Sequence, residues 1–354
     1  MAVSVFYDQC NRLHTISRRR MPTRILVAMT DDDFDKLYDD ASQQRLAALG
    51  EVRRAEISDG HAVVPSDVAS THDVLITSWS TQPFEPSILT GHRLKLAVHS
   101  AGSVRTLFPA ESLRSGLRIS QGGADAMAVA VAEMAVTLTL AQLRNLHKHD
   151  RVLQRTRDWA KGGFGVLGES IAAQRVGIVS LSRVGQHFAR MIRGLGASNI
   201  AAYDPYATTE SAERAGVRLT ELDELFATSD IVSIHTPATP ETTRLIQARH
   251  FALMRDGGII INTARAEVTD EQALLAEVTT GRLRVGLDVF ATEPLPRDSA
   301  FFGRENALLT PHVAGGTTQA RFAQGAHVVD EIQGFLHNET LRSEVTRENY
   351  HRLG

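Results

Sequence analysis

Short apolar runs alternate with longer amphipathic stretches along most of the chain. Five runs rich in Val, Ile and Leu come first, and they cover 24–29, 52–57, 73–79, 94–100 and 117–121. Apolar runs of this length, separated by helical patterns, are typical of βαβ units around a parallel sheet. This part of the chain is therefore predicted to form an α/β domain.

An alanine-rich stretch at 126–155 separates this series from a second one, and its spacing of apolar residues predicts one long helix. The second series has six strand-like runs, which cover 176–180, 199–204, 230–236, 258–264, 283–290 and 306–311. Six strands with helices between them are expected of a doubly wound nucleotide-binding domain. A last amphipathic stretch at 317–336 follows, and we expect its apolar face to cover the first domain.

These patterns predict an α/β fold of two doubly wound domains, in which a Rossmann domain is inserted into a discontinuous, flavodoxin-like domain. The predicted boundaries are 22–125 and 317–342 for the discontinuous domain and 126–316 for the Rossmann domain. Residues 343–354 are interpreted as a C-terminal tail. Residues 1–21 lack the alternating pattern and are predicted to be a disordered extension.

Composition and charge argue against several classes of function for this chain. Of the 354 residues, 43% are hydrophobic and 22% are charged, an ordinary balance for a globular protein. The formal net charge of -3 provides no basic field, which argues against nucleic-acid and membrane partners. Cys10 is the single cysteine, so a cysteine-based zinc site is excluded, and no metal site is expected. With no secretory signal and no apolar run of about 20 residues, the chain is predicted to be cytoplasmic.

A strand-turn-helix pattern at 180–185 lies where a dinucleotide-binding fold keeps G-x-G-x-x-G. The first two glycines are replaced by Ser180 and Ser182, and Gly185 keeps the third position. Asp204 ends the next strand, where a carboxylate would accept hydrogen bonds from ribose hydroxyls and repel a 2′-phosphate, favouring NAD over NADP. A serine at a helix entry is equally a plain cap, and Asp-Pro equally starts a turn.

Four segments carry the strongest functional signal, and they cover 229–246, 257–275, 286–296 and 309–318. In these segments the chain resembles the D-isomer-specific 2-hydroxyacid dehydrogenases, which are NAD-dependent, and the resemblance runs from about residue 24 to residue 335. It implies two α/β domains with the active site between them. It also implies NAD as cofactor, a small 2-hydroxy or 2-keto acid as substrate, and a homodimer.

The resemblance implies a catalytic role for three residues past the ends of strands. Arg265 follows N-T-A, Glu293 lies in E-P and His312 lies in T-P-H. Arg265 would bind the substrate carboxylate through its donor fork, and His312 would be the general acid or base with Glu293 on its far nitrogen. Each residue alone is more often an ordinary one, since a histidine at such a place is usually a satisfied loop residue, an arginine a surface charge and a glutamate part of a solvated turn.

The resemblance further implies cofactor contacts, and these positions are Ser182, Arg183, Val184, Gly185, Asp204, His235, Pro237, Thr242, Thr263, Ala264, Arg265, Asp288, His312 and Gly315. Asp288 would hold the nicotinamide carboxamide, unless it is a strand-end turn residue. His235 would line the adenosine side, unless it merely ends its strand. Ala314 and Gly315 would let the chain approach the nicotinamide ring closely.

The first domain has its own candidates. Backbone N–H groups of Ala101, Gly102 and Ser103 match the loop that holds the substrate carboxylate, together with Arg265 and His312, although a plain strand-to-helix turn is the alternative. Trp79 is either a wall of the substrate site or a packing residue.

Two departures from the family pattern bear on function. If Ser180 or Ser182 needs a positive φ, the serine costs on the order of 1–2 kcal/mol, and we expect weakened NAD binding, which a hydroxyl donated to phosphate would offset. Ala266 stands where the family usually has glycine. The damaged turn leaves a second function class open, an NAD(H)-sensing binding protein of the same fold with little or no turnover.

Overall fold

The computed structural model describes residues 22–114, 116–163 and 167–350. The predicted extension at 1–21, with Cys10, lies outside the described residues. Within them the chain builds two large sheets, each of parallel strands with helices packed on its faces.

The first sheet belongs to the substrate domain. The elements before the inserted domain are β1 (Arg24–Ala28), α1 (Asp31–Leu37), α2 (Asp40–Leu49), β2 (Glu51–Arg54), β3 (Glu56–Ser58), β4 (His61–Val63), α3 (Val68–Thr71), β5 (Val74–Thr77), β6 (Leu96–His99) and β7 (Arg118–Gln121). Two short 3-10 helices cover Pro86–Leu89 and Ala110–Arg114.

The inserted domain follows and contains most of the helices. Its elements are α4 (Ala124–Leu143), α5 (Leu146–Thr156), α6 (Trp159–Gly163), β8 (Arg175–Val179), α7 (Arg183–Gly194), β9 (Asn199–Tyr203), α8 (Thr209–Ala215), β10 (Arg218–Leu219), α9 (Leu222–Thr228), β11 (Ile231–Ile234), α10 (Ala248–Leu253), β12 (Ile259–Asn262), α11 (Glu271–Thr279), β13 (Arg284–Leu287) and β14 (Ala307–Leu309). Further 3-10 turns cover Ile171–Ala173 and Ala266–Val268. Two last elements, α12 (Thr318–Leu336) and β15 (Glu344–Val345), return to the substrate domain.

Strand order confirms the predicted fold class. The first sheet has the order β15-β7-β6-β5-β1-β2, whose parallel part is the flavodoxin-like order. The second has the order β10-β9-β8-β11-β12-β13-β14, in which β10 to β13 follow the order of a Rossmann sheet and β14 adds a parallel edge strand. In both sheets the chain reverses its direction of winding beside the first strand. The carboxyl ends of the strands there form the crevice in which such folds bind ligands.

Buried aliphatic side chains explain why these strands are central. β5, β6, β11 and β12 are buried at every position, as expected when helices cover both faces of a parallel sheet. α12 packs against α1, α2 and β6, and it buries Val328, Val329 and Ile332 in the same cluster as residues of β1. The chain therefore returns to the substrate domain after the inserted domain, and segments that precede and follow the insertion build one substrate domain.

The long crossing helix differs from its prediction. The sequence predicts one helix over 126–155, whereas the structure has α4 and α5, bent by 62° at a break. Asn145 has φ of 50° at this break, a left-handed conformation that Asn tolerates better than most residues. Among the described residues no single helix is long and apolar enough to cross a membrane. The bent pair of α4 and α5, taken together, has the length and composition of a membrane span.

The interpretation of 343–354 as a tail does not hold for residues 343–350. β15 pairs with β7 in an antiparallel register, and Glu344 forms an ion pair with Arg118 at 2.7 Å. The hydroxyl of Tyr350 donates to the carbonyl of Phe108 at 3.0 Å. These residues therefore complete the edge of the first sheet.

Candidate active site

The turn at 180–185, here called the nucleotide turn, connects β8 to α7. Ser180 has φ of 76°, so a serine occupies a left-handed position that normally favours glycine. Its hydroxyl donates to Asp204 at 3.1 Å, and the Leu181 N–H donates to the same carboxylate at 2.8 Å. A Cβ at Gly185 would collide with the carbonyl oxygen of Ser180, so the remaining glycine allows helix and turn to meet.

Ser182 caps α7 and has an ordinary φ of -55°. Its hydroxyl donates to the His235 carbonyl at 2.8 Å and accepts from the Gly185 N–H at 3.4 Å. Because its proton is already engaged, this hydroxyl would have to leave the His235 carbonyl before it could donate to a phosphate, and that expectation stays a prediction. Within the described part of the chain, the N–H groups of Ser182, Arg183 and Val184 have no protein acceptor, which suits a pyrophosphate at a helix N-terminus.

A cavity of about 810 Å³ lies beside the nucleotide turn. Asp204, Pro237, Thr242 and Glu348 contribute to its wall, and its described lining contains no Lys or Arg. Thr242 closes the loop after β11, since its hydroxyl donates to the Pro237 carbonyl at 2.6 Å. A polar wall with carboxylates and no cation suits the adenosine half of NAD and opposes a 2′-phosphate.

A second cavity of about 390 Å³ continues between the two domains. It is lined from the substrate domain by Gly102 and from the Rossmann domain by Arg183, Thr263, Ala264 and Arg265. The Thr263 hydroxyl is buried there without a hydrogen-bond partner in the structure. A buried polar atom facing a cavity is where a ligand group is expected, so these residues fit the nicotinamide half of NAD.

His235 lies under the nucleotide turn. It is 4% exposed, its Nε2 lies 3.0 Å from the Ser233 hydroxyl, and its ring packs against Phe188 of α7. Burial lowers the pKa of His235 to about 3, so the ring is neutral at ordinary pH. The structure gives His235 a supporting place behind Ser182, and its buried Nδ1 has no hydrogen-bond partner among the described residues.

His312 and Glu293 form a close pair. The loop at 310–317, here called the histidine loop, follows β14, and His312 has φ of 52° within it. His312 Nδ1 lies 2.6 Å from Glu293 Oε2, and the other carboxylate oxygen accepts from the Phe290 N–H at 3.0 Å. Both oxygens of the carboxylate are thus held, and no described residue bonds to the Nε2 of the imidazole, whose side chain is 47% exposed.

Asp288 holds the histidine loop. It is 0% exposed, and its carboxylate accepts from the Thr310 hydroxyl at 2.5 Å and from the N–H groups of Val313 and Ala314 at 2.9 and 2.8 Å. Its carbonyl also accepts from the His312 N–H at 2.9 Å. The prediction that Asp288 binds the carboxamide finds no support in these contacts, because the buried carboxylate is committed to the loop.

Two small residues pack rather than face the cavity. A Cβ at Gly315 would come within 3.2 Å of the Met127 sulfur, so the missing side chain lets the histidine loop approach α4. Ala314 is 3% exposed. Ala266, the departure after Arg265, starts a 3-10 turn without a positive φ, so alanine fits there without strain.

Arg265 lies between the cavity and the His312–Glu293 pair. Burial lowers the pKa of its guanidinium, and the nearby carboxylates of Glu267 and Glu293 oppose this effect. One terminal nitrogen donates to the Ala264 carbonyl at 2.7 Å, while Asn262 holds the Arg265 carbonyl at 3.0 Å. A guanidinium held by its own backbone in a cleft can offer its remaining donors to an anion.

The substrate-domain loop at 101–103 faces Arg265 across the cleft. Ala101 is buried, Gly102 lines the cavity, and Ser103 accepts a long hydrogen bond from the Arg105 N–H at 3.4 Å. In the described ranges the three consecutive N–H groups of this loop have no protein acceptor. Consecutive free N–H groups form an anion-binding concavity, which suits a carboxylate.

Sequence reasoning missed Arg321. This residue lies in the first turns of α12, and its guanidinium covers the ring of Trp79 with Cζ 3.9 Å from the ring centroid. Trp79 is 47% exposed, so it lies at the surface rather than in the core. No local pattern connects two residues so distant in sequence. Among the described residues no group of His, Cys, Asp and Glu is arranged to hold a metal ion.

Comparison with known proteins settles the family. The family described as D-isomer specific 2-hydroxyacid dehydrogenase, NAD binding domain, matches residues 136–314. The chain belongs to this family. Its cofactor is NAD, and the matched residues include the nucleotide turn, Arg265, Glu293 and His312.

Curated relatives agree at the level of the family. The D-3-phosphoglycerate dehydrogenase of Methanocaldococcus jannaschii is 30% identical over 318 residues, which are 89% of this chain and 59% of that protein. The D-3-phosphoglycerate dehydrogenase of Mycobacterium tuberculosis (strain H37Rv) is 34% identical over 306 residues, which are 80% of this chain and 57% of that protein. The chain thus spans less than two thirds of the length of these relatives.

A solved structure extends the likeness over both domains. D-2-hydroxyisocaproate dehydrogenase superposes with a TM-score of 0.79 at 26% identity, covering 92% of this chain and 99% of that one. None of these proteins supports the alternative of an NAD(H)-sensing binding protein. The chain is therefore a member of a family of NAD-dependent dehydrogenases, with a cleft between its two domains.

Proposed function

We propose that this protein interconverts a D-2-hydroxy acid and the corresponding 2-keto acid. The observation that carries this proposal is the His312–Glu293 pair at 2.6 Å, beside Arg265 and opposite the loop at 101–103. A proton-transfer group and two anion-binding elements in one cleft are what a hydroxy acid dehydrogenase needs.

Binding precedes chemistry in this arrangement. The substrate carboxylate would accept hydrogen bonds from the backbone N–H groups at 101–103 and from the guanidinium of Arg265. A charged, forked donor in a partly buried cleft binds a carboxylate more strongly than a neutral donor does. Because these donors come from two domains, a bound substrate would also hold the cleft together.

Proton transfer then depends on His312. In reduction its Nε2 would donate a proton to the substrate carbonyl oxygen, and in oxidation the same atom would accept the hydroxyl proton. Glu293 on Nδ1 orients the ring. When bound in the Rossmann domain, the cofactor would supply the hydride as NADH in reduction and would accept it as NAD⁺ in oxidation.

Steady-state NADH oxidation across a panel of 2-keto acids tests the proposal, with His312→Asn as the decisive variant. Asparagine tolerates the left-handed backbone at this position, so the variant removes the imidazole with little strain. We expect kcat to fall by roughly 10²- to 10⁴-fold. His61→Asn is the matched control, because His61 is exposed on β4. The proposal would be contradicted if the wild type oxidised NADH with none of the acids, or if the His312→Asn variant kept the wild-type kcat.

We also propose that the protein works as a cytoplasmic homodimer. Exposed apolar side chains on α5 and α6, among them Leu146, Leu153 and Trp159, support self-association through this element. Sedimentation of the purified chain should give a mass of about twice 38.7 kDa. A monomer at micromolar concentration would overturn the dimer.

A further inference from the structure

Arg321 connects the histidine loop to the carboxyl edge of the substrate-domain sheet. Its N–H donates to the Thr317 carbonyl at 3.0 Å, in the first turn of α12. One terminal nitrogen lies 3.9 Å from the position that a Cβ of Gly316 would occupy. Its guanidinium lies over the ring of Trp79, two residues beyond the end of β5. The charge is thus placed at the carboxyl edge of the substrate-domain sheet, against an aromatic face.

This cation has no ion pair among the described residues. Its guanidinium donates to the neutral side-chain oxygen of Gln324 at 3.2 Å, and Gln324 is itself fully buried. Asp33 acts on Arg321 only from a distance, and that carboxylate already accepts from the hydroxyls of Ser78 and Ser80 at 2.7 and 2.6 Å. A half-buried guanidinium without a counter-ion is costly unless an anion arrives to pair with it.

The place of this charge relative to the carboxylate loop follows from the sheet. β5 and β6 are parallel neighbours, and Thr77 is in register with His99. Trp79 and Ala101 are each two residues beyond these partners, so they leave adjacent strands at the same edge. Neighbouring strands are about 4.8 Å apart, so Arg321 over Trp79 lies within reach of a small acid held at 101–103.

We propose that Arg321 binds a second anionic group at the far end of the substrate. The preferred substrate is then a 2-keto acid, or its hydroxy acid, that also carries a terminal carboxylate or phosphate. This inference rests on the proposed dehydrogenase function and adds the substrate class to it. The first anion is held by Arg265 and the loop at 101–103, and the second by the guanidinium stacked on Trp79.

Kinetics with matched substrates test this inference. The panel contains pyruvate and 2-ketobutyrate with uncharged ends, oxaloacetate with a terminal carboxylate, and 3-phosphohydroxypyruvate with a terminal phosphate. We expect the wild type to prefer at least one of the doubly anionic acids by about tenfold or more in kcat/KM. The comparison of oxaloacetate with phosphohydroxypyruvate then distinguishes a carboxylate from a phosphate.

The variant Arg321→Gln isolates the charge. We expect kcat/KM for the preferred doubly anionic acid to fall by about 10- to 100-fold, mainly through KM, with pyruvate changed less than about threefold. Arg321→Lys should retain part of the preference because it keeps the charge. Arg54→Gln is the matched control, since Arg54 also covers an aromatic ring, that of Phe34 at 4.0 Å, but already pairs with Asp31 at 2.8 Å.

The outcomes separate this inference from the function on which it rests. Wild-type preference for uncharged acids, or an equal loss on all acids in Arg321→Gln, overturns the distal anion site and leaves the dehydrogenase standing. Absence of turnover with every acid overturns the dehydrogenase proposal, and the substrate class with it. A selective loss on doubly anionic acids supports both.

Discussion

The nucleotide turn and the histidine loop place the same backbone feature at two strand ends of the Rossmann domain. Each contains a non-glycine residue in the left-handed region, Ser180 with φ of 76° and His312 with φ of 52°. In each, a carboxylate after a neighbouring strand accepts hydrogen bonds from the strained segment: Asp204 in the turn and Asp288 in the loop. A left-handed residue therefore persists where an aspartate over-determines the backbone around it.

Burial separates the two regions. Asp288 is fully buried and holds the loop, whereas Asp204 is half-buried and also lines the adenosine cavity. The burial of the two histidines is reversed relative to that of the aspartates. His235 is buried under the turn, whereas His312 is half exposed beside a carboxylate. In the nucleotide turn the buried histidine supports the backbone and the aspartate faces the cavity. In the histidine loop the buried aspartate supports the backbone and the histidine is exposed.

Replacing the buried aspartate should have the largest effect. In Asp288→Asn the amide NH2 takes the place of one carboxylate oxygen and faces the N–H group of either Val313 or Ala314, so a donor meets a donor in a buried place and we expect a loss of about 2–3 kcal/mol in unfolding free energy. We also expect a clear fall in kcat, because the loop carries His312. Asp204→Asn is the comparison variant, with a loss below about 1 kcal/mol at its more exposed position. Urea unfolding measures both, and equal losses would break the comparison.

Acidification should destabilise the turn through His235. Burial lowers its pKa to about 3 in the folded protein, from 6.5 for a histidine exposed to water, so below pH 6.5 the unfolded chain binds the proton more readily. The stability is complete above pH 6.5 and is lost as pH falls toward 3, by about 2 kcal/mol at pH 5. His235→Asn should therefore lose less stability than the wild type between pH 7 and pH 5. The difference in urea midpoints reports this, and identical losses would show that His235 is not the sensitive group.

The strain at Ser180 can be measured by two substitutions at one position. Both Ser180→Gly and Ser180→Ala remove the hydrogen bond to Asp204, but only glycine relaxes the left-handed backbone. We expect the glycine variant to be more stable than the alanine variant by about 1–2 kcal/mol. Thermal unfolding of the pair measures this difference. If alanine is equally stable, the turn is not strained at this residue.

Ser182 should show the smallest effect. Because it caps α7 at an ordinary φ, Ser182→Gly should cost only about 0.3 kcal/mol, whereas Ser182→Ala should cost about 1 kcal/mol. Removing the hydroxymethyl also opens the approach to the free N–H groups of the helix, so we expect the glycine variant to bind NADH more tightly. Fluorescence titration with NADH checks the sign, and weaker binding would show that the serine contributes to the cofactor site.

Local patterns explain how far prediction from the sequence reached. Strands such as β8 and β12 consist of runs of buried aliphatic residues, with turn or capping residues before and after each run. Neighbouring residues in the sequence are therefore enough to predict these strands. Arg265, Glu293 and His312 could be singled out because each follows a strand end within a recognisable segment. Their convergence on one cleft follows from parallel strands, whose carboxyl ends share an edge.

Other features carry no local signal. The break at Asn145 interrupts a stretch whose apolar spacing continues across it, and β15 is too short to show a period of two. The sequence around Asp288 does not show whether its carboxylate binds a cofactor or the backbone. Only the hydrogen bonds to the buried carboxylate from Val313 and Ala314 distinguish these two roles.

The sequence by itself determined the two doubly wound domains, the family and the residue types available at the crevice. Only the tertiary structure decided which aspartate is buried, which serine is left-handed, and that Arg321 of α12 meets Trp79 within the substrate domain. The physical reason is that periodicity and turn chemistry act between neighbours in the chain. Burial, backbone strain and unpaired charge arise from residues that meet only when the sheets and α12 have packed.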